Sequence, residues 1–160
     1  MGRLTWLCFV SVLAVVRASD DPYNPSGYFN VATGFYCIVV GGDENTAAGT
    51  HSLVVGGQWN KARGYSAMVF GGFQNSALAD FAVITAGLMN NASGFISTVS
   101  GGSMNTVSGS AAVVAGGTDN VASAGYTTLS GGKKNLASGP YCNVGGGQEN
   151  KGVSSYSTVA

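Results

Sequence analysis

Of 160 residues, 26 are Gly, while seven are basic and seven acidic. Glycine is more than twice its usual ~7% share but follows no three-residue period, which excludes collagen; 9% charge against a typical ~25% leaves no basic stripe for nucleic acid and no acidic tail. With 45% apolar residues the chain is no disordered polyelectrolyte, and one histidine, His51, excludes a multi-histidine metal site within a single chain.

The first predicted element, residues 1–18, is an address. Arg3 precedes an apolar run from Leu4 to Val16, and Val16-Arg17-Ala18 has the small-residue pattern of a secretory cleavage site. The run falls short of the ~20 residues needed to span a bilayer, and no later segment is apolar for long enough. The chain is therefore expected to be secreted, with no membrane span and no nucleic-acid partner. Loss of Arg3 and Arg17 leaves five Lys/Arg against seven Asp/Glu, and loss of Cys8 leaves two cysteines.

Residues 19–25 read as a lead-in, and residues 26–160 as one array. Gly-Gly stands at 41–42, 56–57, 71–72, 101–102, 116–117, 131–132 and 146–147, with Ala86-Gly87 and Ser26-Gly27 as variants. Three residues after each pair comes an asparagine: Asn30, Asn45, Asn60, Asn75, Asn90, Asn105, Asn120, Asn135 and Asn150. The fifteen-residue period never slips, and a fixed period of this kind specifies a solenoid.

Written from the asparagine, one repeat is N-x-A-x-G-x-x-S-x-V-x-G-G-x-x. Two alternating stretches mean two short strands; the glycines between them mean corners with positive φ. Helix is disfavoured by a glycine or glycine pair every seven or eight residues. The fold expected is all-β: a flattened β-roll of fifteen-residue coils with two strands per coil. The second, seventh and ninth residues after Asn are small or aliphatic, as in Ala47, Ser52 and Val54, and should face inward. Such a core is thin at ~25 cal/mol per Å², so backbone ladders and a ladder of stacked asparagine amides must carry much of the order.

The string G-x-x-N-x-A-x-G-x-x-S-x-V-x-G-G resembles two kinds of left-handed β-roll: the head of trimeric autotransporter adhesins and the grass type of ice-binding protein. In composition the chain is also similar to the Gly/Ala/Asn-rich framework proteins of mollusc shell. These resemblances imply three functions. A framework protein of an extracellular matrix is the leading expectation, with matrix polysaccharide as a partner; an adhesin-like binding head is the second and an ice-binding protein the third. Ice binding calls for a flat threonine array, and Thr98, Thr128 and Thr158 share a column that Val113 and Asn143 interrupt.

Catalytic signatures are absent: the sequence holds no G-x-S-x-G, H-E-x-x-H, C-x-x-C or Walker A string. No cofactor, metal or enzymatic activity is expected. His51 reads as a surface variant of a column that is otherwise largely aromatic, and Asp43 and Asp119 are too isolated for a calcium ladder. Interaction is better signalled. Ile38, Val40, Leu53, Val55, Met68 and Phe70 should form an apolar strip on the outer side of the second strands. That strip suggests a homo-oligomer, and the adhesin-head resemblance implies a trimer. Asn91 opens the one usable glycosylation sequon, Asn91-Ala92-Ser93. The sequence stops at Thr158-Val159-Ala160, where the next Gly-Gly is due, so a longer array or end-to-end stacking is expected. Cys37 and Cys142 lie seven coils apart in one column, on the order of 34 Å at ~4.8 Å per coil, too far for a bridge.

Overall fold

The computed structural model describes residues 29–160; the expected secretory leader, the expected lead-in and the Ser26-Gly27 pair lie outside the described residues. Each coil contributes one strand to each of two nine-stranded parallel sheets. The first sheet runs from Val31–Ala32 to Lys151–Gly152, the second from Ile38–Val39 to Thr158–Val159. Strand partners sit one repeat apart throughout, as in Val31↔Thr46 and Ile38↔Leu53. The β-roll read from the spacing is the observed fold. The strands are two residues long, shorter than the four-residue alternations, though the ladder bonds flank them: Val31 N–H donates to Asn45 O at 2.7 Å and Thr33 N–H to Ala47 O at 3.0 Å.

Between the sheets lie three inward columns. Ala47, Ala62, Ala77, Val54, Val69 and Ile84 are completely buried, as are Ala67, Ala82 and Ala112 from the third column. Small residues let the two sheets approach closely, and the Val/Ile/Leu column supplies most of the buried apolar area, about 1.5–3 kcal/mol per side chain. Cys37 and Cys142 belong to the third column as buried free thiols.

The asparagines form a ladder whose rungs are mainly to backbone. Asn60 N–H donates to Asn45 Oδ1 at 3.0 Å, while Asn60 Nδ2 donates to Gly56 O at 3.0 Å and Gly72 O at 2.9 Å. Side chain to side chain bonds of 3.1 Å join Asn75 to Asn60 and Asn90 to Asn75, so the stacked-amide picture is only part of the bonding. The amide reaches its own coil, the next coil and the previous one. It satisfies buried peptide groups at a corner where no strand partner is available.

The corners depart from the expectation that glycine supplies their positive φ. The second glycine of each pair does so, as at Gly42 (φ 88) and Gly102 (φ 87). At the other corner Gly34, Gly49 and Gly64 serve a different need: an added Cβ would run into backbone carbonyl oxygens of the next coil. The positive φ there falls on bulky residues, including Tyr36 (54), His51 (59) and Phe81 (58), and a second such column holds Glu44 (51) and Trp59 (61). Left-handed backbone costs roughly 1–2 kcal/mol per non-glycine residue. Here it turns the N–H around. Strand N–H groups donate to the following coil, whereas His51 N–H donates back to Phe35 O at 2.8 Å and Trp59 N–H to Asp43 O at 2.9 Å. Those reversed bonds hold each corner to its predecessor and offset the strain.

Candidate functional site

Period-two alternation gives each sheet an outer face built from the residues flanking its inward column. On the first sheet these include Thr46, Ser76, Thr106, Ser93, Ser108, Ser123 and Ser138, together with the charged Lys61, Arg63 and Lys151. On the second sheet the outer positions carry no charge in any of the nine coils. Its N-terminal coils present Ile38, Val40, Leu53, Val55, Met68 and Phe70; its later coils present Val83, Thr85, Thr98, Ser100, Val113, Ala115, Thr128 and Ser130. The face thus changes along the roll axis from bulky apolar to small methyl and hydroxyl groups. Val40 is 56% exposed and Phe70 45%, whereas Ile38, Leu53 and Met68 are half-buried by their column neighbours.

Thr98, Val113, Thr128, Asn143 and Thr158 stand in direct register, and the substitutions at Val113 and Asn143 interrupt the hydroxyl column as the sequence indicates. Asn91 lies on the other sheet between Ser76 and Thr106, half-buried. Its Oδ1 has no hydrogen-bond partner. The asparagine ladder from Asn30 to Asn135 is buried at a corner, with Asn150 half-buried at its end, and takes no part in either face.

Aromatic residues line the positive-φ corner. Tyr36 stacks on His51 at 5.2 Å, and the chain of ring contacts continues through Tyr65, Phe81 and Phe95. Tyr126, Tyr141 and Tyr156 form a second parallel stack at 5.0 and 4.9 Å. His51 is a member of this ridge. Among the described residues, no group of three or more His, Cys, Asp or Glu comes together in a way that could hold a metal ion. No described helix is long and apolar enough to cross a membrane.

None of the curated proteins compared with the chain matches it. A family described as the grass antifreeze beta roll matches residues 22–116, more than half of the sequence and six Gly-Gly or Gly-Gly-like corners of the same period. Of the likenesses drawn from the repeat, this match singles out the grass type, in keeping with the paired parallel sheets, the fifteen-residue register and the buried asparagines. The chain belongs to the grass antifreeze beta-roll family.

Proposed function

We propose that the protein is a secreted ice-binding protein whose contact surface is the outer face of the second sheet. One observation carries the choice of face: it bears no charged side chain over nine coils, while the first sheet bears Lys61, Arg63 and Lys151. A charge holds its own hydration shell, and shedding that shell is costly. Methyl and hydroxyl groups repeating at the ~4.8 Å strand spacing can instead hold water in ordered positions at small cost. The coils from Val83 to Ser130 fit this best, because Thr85, Thr98, Ser100, Ala115, Thr128 and Ser130 are small and in register.

The framework reading drew on composition, and neither the fold nor the family adds support to it; an extracellular location is compatible with the family, whereas a matrix location has nothing further behind it. Binding by a flat face asks for no catalytic group.

The test compares faces. Thr98→Arg and Thr128→Arg, on the second sheet, should abolish most ice-growth inhibition; Thr106→Arg, on the first, should leave it intact. An inactive parent protein, or loss through Thr106→Arg alone, would overturn the assignment.

A second reading is favoured by the exposure of Val40 and Phe70 beside Ile38, Leu53, Val55 and Met68. These coils are too bulky for the water-ordering face and suit contact between copies of the chain. Sedimentation of the parent against Val40→Lys/Phe70→Lys reads this directly, with dissociation expected in the variant.

A further inference from the structure

Tyr126, Tyr141 and Tyr156 occupy one corner position in three successive coils, each with positive φ (59, 57 and 57). The reversed corner bonds fix their backbones: Tyr126 N–H donates to Ser110 O at 2.8 Å, Tyr141 N–H to Gly125 O at 3.1 Å and Tyr156 N–H to Pro140 O at 2.9 Å. Their rings lie within 3° of parallel, with centroids 5.0 and 4.9 Å apart. Ile96 and Ala111 hold the same position in the two preceding coils, so this stack is separate from the ridge that runs from Tyr36 to Phe95.

The three rings are 58%, 49% and 76% exposed, so they add little to the core. The residue before each is Gly125, Pro140 or Ser155, and the ring edges stay open to solvent. The stack stands at the corner between the sheets and covers neither outer face. A phenol gives up one electron and one proton to a one-electron oxidant, and the radical spreads onto the ring carbons beside the oxygen. Two such radicals join carbon to carbon when they meet. Holding the second phenol against the first turns that meeting into a reaction within one chain. Rotation about Cβ–Cγ, a broad torsion in aromatic side chains, swings a Cε edge of each ring toward the other.

We propose that the stack is an oxidative cross-linking site, where a biaryl bond between Cε carbons of Tyr126 and Tyr141, or of Tyr141 and Tyr156, staples neighbouring coils. The oxidant is hydrogen peroxide acting through a haem peroxidase. Each bond takes one hydrogen from each of two tyrosines; one peroxide is reduced to two waters, and both phenol hydroxyls are restored once the ring protons leave. Tyr36 and Tyr65 do not qualify, because His51 stands between them and they lie two coils apart, roughly 9–10 Å. The site does not rest on the ice-binding reading.

The dilute protein is treated with hydrogen peroxide and a haem peroxidase, and its monomer fraction is mapped after trypsin. Lys133, Lys134 and Lys151 separate the three tyrosines into different peptides, so each bond yields a distinct joined pair. A monomer lighter by two hydrogens per bond is expected, with dityrosine fluorescence and a Tyr126–Tyr141 or Tyr141–Tyr156 pair. Tyr141→Phe keeps an aromatic ring in the stack but removes the shared phenol, and should reduce both signals in the monomer to background. Tyr126→Phe should retain the Tyr141–Tyr156 pair. A monomer with no joined pair, bonds formed only between chains, or equal yields of pairs that include Tyr36 or Tyr65 would overturn the proposal.

Discussion

Cys142 occupies the space that Gly152 leaves open: a Cβ added at position 152 would meet the Cys142 Sγ, and the Val144 Cγ2 at 3.2 Å. The other eight coils carry Ala or Val at the position of Gly152. Cys37, in the same column as Cys142, has Ala47 in the next coil and directs its Sγ at Gly34 O, 3.0 Å away. Cys142 instead accepts a hydrogen bond from Ser157 Oγ at 3.3 Å. Gly152→Ala should therefore overpack the core and cost about 1–3 kcal/mol. In Cys142→Ala the same change should be tolerated, because the obstructing sulfur is gone and alanine is the better strand residue. Urea unfolding of the four proteins of the cycle measures the coupling; additive effects would show that the two residues do not share the space.

The two thiols make a simpler prediction. Both are buried in one inward column seven coils apart, on the order of 34 Å, while a disulfide needs Cα atoms within about 7 Å. Unfolding without reductant should expose both thiols to alkylation, with two adducts per chain by mass. A Cys37–Cys142 peptide in the non-reduced map would contradict the straight roll.

Much of this architecture is legible in the sequence because the repeat itself is a structural measurement. In-register stacking follows from asparagines that never slip, and the inward columns from which positions tolerate only small or aliphatic residues. The charge-free face could be read in the same way. The corners could not. Tyr36, His51 and Phe81 have side chains that disfavour left-handed backbone in isolation; the reversed N–H bond to the previous coil imposes it, and only the stack creates that acceptor. Nor does the sequence reveal the open recess that Phe29, Val31, Glu44, Thr46, Trp59 and Lys61 line beside the first sheet. Phe29, Glu44 and Trp59 share no residue type, and their column becomes a wall only when three coils are superposed.

Ser52 and Ser97 sit in the third inward column with buried hydroxyls that have no hydrogen-bond partner. Thr127 in the same column avoids this by donating to Ala124 O at 3.0 Å. An unsatisfied buried hydroxyl costs about 1–3 kcal/mol, and alanine already fills the column at Ala67, Ala82 and Ala112. Ser52→Ala and Ser97→Ala should each stabilise the roll by roughly 0.5–1 kcal/mol after allowing for the small void left behind. A lower denaturation midpoint in either variant would contradict this account of the column.

Asn90 and Asn91 are neighbours with opposite roles. Asn90 Oδ1 accepts from Asn105 N–H at 3.0 Å, and its Nδ2 donates to Gly102 O at 3.0 Å. Asn90→Ala would leave that N–H and carbonyl unpaired in the interior, at a cost of about 2 kcal/mol or more. Asn91→Ala removes a side chain on an outer face whose oxygen has no partner, so its effect should stay within about 0.5 kcal/mol. Thermal unfolding of the two variants side by side separates ladder from surface. Equal losses would mean that the ladder bonds contribute little.

The outward placement of Asn91 also decides what a glycan there would do. Asn91-Ala92-Ser93 is the one sequon in the chain without a disqualifying proline, and Asn91 sits mid-sheet between Ser76 and Thr106. Its side chain belongs to the first sheet, on the face opposite the charge-free surface. Since ladder bonds at this position are made by the backbone, with Asn91 N–H donating to Asn105 O at 2.8 Å, a sugar on Nδ2 would break none of them. Secretion through a pathway that glycosylates asparagine should therefore yield chains modified at Asn91. The glycan would cover the face that carries Lys61, Arg63 and Lys151, and leave the second sheet clear. Enzymatic removal should change the mass but not the ice-growth inhibition. An unmodified peptide throughout would remove the acceptor assignment. A gain of ice activity on deglycosylation would instead place the binding face on the first sheet.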